Sequence, residues 1–293
     1  MEDILTALAS RLKQKDNSAN KGTNGTLTVV AGSELYRGAA ALASSAALRC
    51  GVGIVRLVSV EKVISSAAAR LPECVFLPTE SENGAMSYRD FARKMPAFSK
   101  SRAVLAGCGM TDCADTGNII AELIKYGGYQ LIIDADGLNS IKNRPEILKT
   151  AALPPIITPH IGEMSRLTGA SIDAIKSDRE KTAAEFSRKY NCITVLKDSK
   201  TVISSPEGRL FVCDRPNAGL AKGGSGDVLS GIISSFAAQG YDAFDAAVCG
   251  TALHSLAAES AQERLTEYSM LPSDIVAEIP GVFARIGKTR NYR

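Results

Sequence analysis

The chain has only two histidines, too few to support a histidine-built metal site. Its seven cysteines are odd in number and form no C-x-x-C pair, which argues against a disulfide framework or a zinc site. Cys50, Cys74, Cys108, Cys113, Cys192, Cys213 and Cys249 fall mostly in apolar segments, as expected of reduced, buried and inert thiols in the cytosol. No apolar run reaches about eighteen residues, so a membrane span is not expected. The acidic start at Met1 lacks the long apolar stretch of a secretory signal. There is no basic block: 34 basic residues face 31 acidic ones, for a net charge of +3, and neither nucleic acid nor membrane is an expected partner. No G-x-x-x-x-G-K-[ST] loop occurs, Gly51 and Gly53 lack the third glycine of a dinucleotide fingerprint, and no serine-centred nucleophile elbow is found.

What is present is a regular alternation. A chain of 293 residues, 45% of them hydrophobic, buries a sizeable core. Short apolar runs at Thr26–Ala31, Ile54–Val58, Ala103–Ala106, Leu131–Asp134, Ile156–Thr158, Ile193–Leu196, Thr201–Ser204 and Leu210–Val212 read as strands. Helical patterns lie between several of them, at Gly38–Cys50, Asp115–Tyr126 and Asp178–Tyr190, and three more close the chain at Asp227–Ala238, Ala243–Glu259 and Ser273–Ile279. The alternation predicts parallel strands joined by right-handed crossovers, a three-layer α/β/α sandwich with a mostly parallel central sheet. Ser205–Gly208 predicts a hairpin between the last two strands. One domain over 1–293 is expected, with residues 1–20 as an N-terminal helical extension. Ile4, Leu5, Leu8 and Leu12 there would dock on the body or on a neighbouring subunit. The mildly basic stretch 288–293 is expected to be a solvated tail.

The segment from Asn217 to Asp227 carries the strongest chemical signal. Gly223, Gly224, Ser225 and Gly226 precede Asp227, and Val228, Leu229, Ile232, Ile233 and Phe236 follow at helical spacing. Glycines let backbone amides approach a ligand, and the free amides of a first helical turn favour an anion. Asp227 is either the helix cap or a general base beside a phosphoryl group, and the two are compatible. Four strand ends on the predicted ligand face carry glycine or polar residues: Gly32-Ser33, Gly107–Gly109, Asp134–Gly137 and Thr158–Glu163. Turn and cap roles compete at each. His160 follows Pro159 on that face and is a candidate ligand contact, while Glu163 suits a helix start, or a contact to water or magnesium. Lys197–Thr201 joins two strands and offers a lysine to phosphate or ribose oxygens, the competing reading being an exposed turn. Asp134 and Asp136 suit magnesium or turn chemistry.

Together, Ala221–Gly231 and Thr158–Glu163 resemble the ADP/ATP-dependent NAD(P)H-hydrate dehydratases of the ribokinase-like superfamily. The likeness runs from Lys21–Gly25 to the C-terminal helices, with further matches at Val30–Gly32, Gly38–Ala40, Asp134–Leu138, Val195–Lys197 and Thr201–Ile203. The resemblance implies a hydro-lyase acting in metabolite repair, which restores hydrated NADH or NADPH at the expense of ADP or ATP with Mg2+. It implies that Ala39, Gly109, His160 and Asp227 contact the hydrate. Lys197, Asp198, Ser199, Lys200 and Thr201, with Gly223, Gly224, Ser225 and Gly226, would hold the nucleotide, and Asp227 would be the base. It further implies a cytoplasmic homo-oligomer, a tetramer, joined through the N-terminal segment and the Ala-rich helix. A small-molecule kinase for a vitamin-precursor alcohol, of the hydroxyethylthiazole or hydroxymethylpyrimidine type, needs the same loop and is the alternative; a nucleotide-binding regulator without catalysis is a third. The chain departs from the family at Cys108, Ile161 and Asp198, where proline, proline and glycine are common. Asp198 would weaken nucleotide binding unless magnesium or Lys200 offsets its charge.

Overall fold

The computed structural model describes residues 3–291. Helix α1 (Ile4–Arg11) precedes β1 (Thr26–Val30), α2 (Arg37–Arg49), β2 (Ile54–Val60), α3 (Glu61–Ala68) and β3 (Val75–Thr79). A small hairpin, β4 (Ser81–Glu82) and β5 (Ala85–Met86), leads into α4 (Tyr88–Lys94), β6 (Ala103–Ala106), α5 (Ala114–Tyr126), β7 (Gln130–Ile133) and α6 (Asp136–Ser140). Then come β8 (Ile156–Ile157), α7 (Ile161–Thr168), α8 (Ile172–Ser177), α9 (Arg179–Tyr190), β9 (Ile193–Leu196), β10 (Thr201–Ser204) and β11 (Leu210–Cys213). Helices α10 (Ser225–Ala238), α11 (Ala243–Ser269) and α12 (Pro272–Asn291) complete the chain.

Nine strands form one sheet in the order β11-β10-β9-β8-β7-β6-β1-β2-β3. Every pairing from β3 to β9 is parallel, and β10 and β11 are added antiparallel, through the expected hairpin. Strands β1, β6 and β9 are buried at every position, on both faces, which requires helices above and below. The α/β sandwich expected from the alternation is therefore the observed one. Helix α10 is buried along almost its whole length between α2 and α11. Its close approach to α2 depends on Gly231, where a Cβ would lie 2.2 Å from the Ala43 carbonyl oxygen. Burying Phe236, 1% exposed, contributes about 2–3 kcal/mol.

Helix α1 docks on the body of the same chain: Ile4 and Leu8 are buried and the helix packs on α11. The Ala-rich α2 buries Ala40, Ala43, Ala46 and Ala47 within the chain. Both segments offered as subunit contacts thus spend their apolar faces internally. Among the described residues of the first twenty, 4–11 are helical. Strand β3, the β4–β5 hairpin and helices α3, α4 and α8 were not anticipated, because their short or half-exposed runs give weak periodicity. Helix α11 runs to Ser269 and α12 to Asn291, well past the expected ends. The expected tail over 288–293 is helical in backbone through Asn291, while its side chains and residues Tyr292 and Arg293 lie outside the described residues. All seven cysteines are free, and Cys113 alone is not fully buried. No helix among the described residues is long and apolar enough to cross a membrane.

Candidate active site

The parallel strands end together, and their first loop residues build the site. Gly107 follows β6 at φ +122°, and a Cβ there would lie 1.9 Å from the Asp134 carbonyl oxygen, so only glycine lets the β6 and β7 ends meet. Cys108 comes next, and its carbonyl accepts the Gly32 amide at 2.8 Å. Gly109 packs on the start of α2, where an added Cβ would fall 2.9 Å from the Ala39 Cβ and 2.7 Å from the Tyr36 Cβ. The two residues expected to share a ligand, Ala39 and Gly109, are thus in contact. The Thr111 hydroxyl donates to Ser33 Oγ at 3.1 Å, and its amide donates to Asp136 Oδ2 at 2.8 Å. Thr158 Oγ1 lies 3.4 Å from Ser230 Oγ. All four strand ends singled out in the sequence therefore join one network.

An ion pair between buried Asp134 and half-buried Lys197 sits at its centre. Lys197 Nζ donates to Asp134 Oδ1 at 2.8 Å, and Ser230 Oγ of α10 donates to Asp134 Oδ2 at 2.7 Å. Burial pushes the Asp134 carboxyl up, but Lys197 and the hydroxyls of Ser230 and Thr158 outweigh it and hold the carboxyl below its ordinary value. Burial opposes the Lys197 charge, yet Asp134 and Glu163 hold its pKa above the ordinary lysine value. The pair is consequently ionised. It ties the β7 end to the β9 end and carries a cation to α10: a Cβ on Gly226 would lie 3.3 Å from Lys197 Nζ.

Gly224 caps α10, at φ +102° and with no side-chain capping bond. Asp227 is in the first turn but is not the cap, which corrects one of its two sequence readings. Its carboxylate faces inward: oxygens of Asp227 and Asp134 and the Cys108 sulfur all lie within 4.8 Å of one another. Burial first, then the Asp134 charge, raise the Asp227 pKa to about 6, against opposing effects of a Cys108 hydrogen bond and Lys197. Burial, then Asp227 and Asp134, push the Cys108 thiol well above its ordinary range, so it stays an S–H donor. The result is a carboxylate that titrates near neutrality beside a fixed ammonium and the open amides of a helix start, which suits a general base acting next to an anion.

His160 is the N-cap of α7. Its Nδ1 accepts the amides of Gly162 at 2.9 Å and Glu163 at 3.3 Å, while Glu163 Oε2 accepts the His160 amide at 2.8 Å. This reciprocal box leaves Nε2 to carry the proton of the neutral ring. Burial, helped by Lys197 and Arg166, lowers the His160 pKa and keeps the ring neutral. The side chain remains 54% exposed, and a parallel bridge pairs the residue with Lys197. Glu163 is thus the helix-start residue expected; burial raises its carboxyl to about 7. The other histidine, His254, lies buried on α11 against the Ser225 backbone, with its pKa pushed by burial to about 4.

In the 197–201 loop, Asp198 is matched by Arg179, whose Nη2 and Nε lie 2.5 and 3.0 Å from Oδ2. Lys200 pairs instead with Asp214 at 3.0 Å. The charge of Asp198 is therefore offset by a helix α9 arginine rather than by Lys200. Ser199 lies on the same loop, and Thr201 begins β10. Exposed Gly223 and buried Ser225 flank the cap of α10, and Ser225 Oγ has no protein partner among the described residues.

Asp134 and Asp136 do not fit as a magnesium pair. Both Asp134 oxygens are engaged by Lys197 and Ser230, Asp136 accepts the Thr111 amide, and the group that gathers around Asp134 includes a sulfur, a poor donor for magnesium. The roles of Ser230 and Cys108 were not anticipated. The spacing of Ser230 three residues after Asp227, on one helix face, was the available signal for the first; an apolar-looking cysteine gave none for the second.

A family model of the NAD(P)H-hydrate dehydratases matches residues 27–281. The ADP-dependent (S)-NAD(P)H-hydrate dehydratase of Xanthomonas campestris is 30% identical over 286 residues, covering 97% of each chain. The bifunctional NAD(P)H-hydrate repair enzyme of Thermofilum pendens is 33% identical over 265 residues, 87% of this chain and 51% of that protein. The chain spans about half the length of such bifunctional relatives. Among solved structures, the ADP/ATP-dependent NAD(P)H-hydrate dehydratase of Bacillus subtilis, co-crystallised with ATP/Mg2+, superposes with a TM-score of 0.82 at 26% identity over 97% of both chains. The fold is ribokinase-like. The chain belongs to the NAD(P)H-hydrate dehydratase family.

Proposed function

We propose that this family member removes water from hydrated NADH or NADPH, using ADP or ATP as phosphoryl donor. The observation that carries the reading is Asp227, a near-neutral carboxylate held at the start of α10 beside Cys108, Asp134 and the Lys197 ammonium. The substrate ring would lie over Gly109 and Ala39, with His160 Nε2–H as a donor to it. Asp227 takes the proton of the ring hydroxyl as that oxygen bonds to the terminal phosphorus and the bond to the nucleotide's bridging oxygen breaks. Amides of the first turn, Gly226 among them, and Lys197 hold the phosphates; Gly223, Gly224 and Ser225 shape that turn, and Asp198–Thr201 border it. The ring nitrogen lone pair then expels phosphate, a better leaving group than hydroxide, and the iminium so formed loses a proton from the adjacent ring carbon to the departing phosphate or water, which restores the dihydropyridine. The products are the repaired cofactor, inorganic phosphate, and AMP or ADP.

We favour ADP, because Lys197 and the α10 amides supply holds for two phosphates and no further clamp is evident. Mg2+ would arrive on the nucleotide's own phosphates and water rather than in a carboxylate cage. A single domain, a cytosolic location, consistent with the free thiols, and assembly as a homo-tetramer belong to the same proposal; light scattering tests the last.

The deciding experiment mixes the protein with hydrated NADH, Mg2+ and either nucleotide. Recovery of the dihydronicotinamide near-ultraviolet absorbance, with one inorganic phosphate per cofactor, is expected. No recovery with either nucleotide, together with phosphorylation of a vitamin-precursor alcohol to a stable ester, would establish the kinase instead.

A further inference from the structure

A cavity of about 490 Å³ opens beside the crevice, at the ends of β2 and β3. Its walls include Val60, the last residue of β2, and Thr79, the last of β3, with Glu34 from the loop after β1. Because β3, β2, β1 and β6 are parallel neighbours, this is the same edge of the sheet as Gly107–Gly109. β2 stands two strands from β6, and β3 three, or roughly 10–15 Å at the usual strand spacing. That offset suits the two halves of a dinucleotide joined by a pyrophosphate.

The segment between the two places is apolar and open. Leu35 is 75% exposed and Tyr36 49% exposed, and Tyr36 sits against Gly109. A half-exposed aromatic at such a crossing offers a stacking face to a base or to the dihydropyridine. Inside the cavity, Thr79 is buried and its Oγ1 has no protein partner among the described residues, a group that a ligand hydroxyl or amide would satisfy.

The lining is acidic. It carries Glu34, Glu61, Glu80 and Asp90 against two cations of its own, Lys62 and Lys94, with Arg37 acting on Glu34 and Arg93 on Asp90 from beside it. Both cations are already engaged, Lys62 with Glu34 at 2.6 Å and Lys94 with Asp90 at 2.9 Å. Ser81 Oγ donates to the other Glu34 oxygen at 2.9 Å, and the Lys62 and Ser81 hydrogen bonds hold Glu34 ionised. Carboxylates accept hydrogen bonds from a ribose diol, as the acidic residue of dinucleotide-binding folds does, and they repel a phosphate at the same place.

We propose that this cavity takes the adenosine end of the dinucleotide substrate and reads an unmodified ribose, so that the protein prefers hydrated NADH to hydrated NADPH. The inference rests on the dehydratase reading above and names the substrate form within it. At fixed saturating ADP, kcat/KM for hydrated NADH should exceed that for hydrated NADPH on the order of ten-fold, the effect of like charges about 6 Å apart at a partly solvated site. Glu34→Gln removes one repelling charge and frees Lys62 for a phosphate, so the preference should shrink to about three-fold or less. Ser81→Trp, at an exposed wall position, should fill the cavity and raise KM for both hydrates while leaving KM for ADP unchanged. Equal kcat/KM for the two hydrates in the unaltered protein, or a Ser81→Trp variant with normal hydrate KM, overturns the inference and leaves the dehydratase reading standing. Failure to turn over either hydrate overturns both.

Discussion

Replacing Asp227 by Asn should make the protein both nearly inactive and more stable. The folded chain raises this carboxyl from its ordinary value near 3.8 to about 6, chiefly by burial. The folded state therefore binds the proton more tightly than the unfolded state. The stabilisation from that tighter binding is complete below pH 4 and is lost as pH rises through 6. Above pH 7 the ionised carboxylate costs about 3 kcal/mol relative to a neutral side chain. Asparagine carries no charge to bury, but it forgoes the favourable interaction of an anion with the first turn of α10, about 0.3–1 kcal/mol. The net expectation is a gain of about 2 kcal/mol at pH 8, or roughly 3 °C in Tm for a chain of this size. Urea denaturation of both proteins at pH 5, 6.5 and 8 measures it. The advantage of the variant should grow by about 1–2 kcal/mol from pH 5 to pH 8, and turnover should fall by about 10²–10⁴. An Asp227→Asn variant that is less stable at pH 8, or equally stable at all three values, would show that the carboxylate supports the helix instead of being held at a cost for proton transfer.

Four further expectations follow from neighbouring contacts. kcat/KM should rise with pH through about 6, as Asp227 loses its proton, and Cys108→Ala should move that limb because the thiol beside Asp227, which donates to Asp134 Oδ2 at 3.8 Å, is gone; an unmoved limb in a pH–rate profile would separate Cys108 from the base. Lys197→Met strands Asp134 in the interior and should cost about 3–5 kcal/mol in urea denaturation, with Lys197→Met/Asp134→Asn recovering much of the loss; no recovery would mean the pair does not explain the cost. His160→Asn keeps a capping acceptor whereas His160→Ala loses one, worth about 1 kcal/mol, so both should weaken hydrate binding but only the second should lower Tm. ADP should support turnover at least as well as ATP at equal concentration, and a strong ATP preference in that comparison would overturn the two-phosphate reading.

Much of this was legible along the chain, because the signals were local. Short continuous apolar runs alternating with helical patterns gave the sandwich; glycine runs marked the turn before α10; and Thr158–Glu163 with Ala221–Gly231 gave the family. The half-exposed β3 and the two-residue β4 and β5 carried too little periodicity to be seen, yet β3 and β4 wall the cavity beside Glu34. Sequence by itself left Asp227 divided between cap and base and set Asp198 against the phosphates. Tertiary structure removed the cap reading and supplied a partner for Asp198, since a cap is a matter of backbone angle at Gly224 and a charge is offset by whatever folds beside it, here Arg179 from another helix. The titration of Asp227 near neutrality likewise depends on Asp134 and Cys108, residues 93 and 119 positions earlier in the chain. Burial and like-charge proximity are properties of the assembled strand ends, and no stretch of sequence contains them.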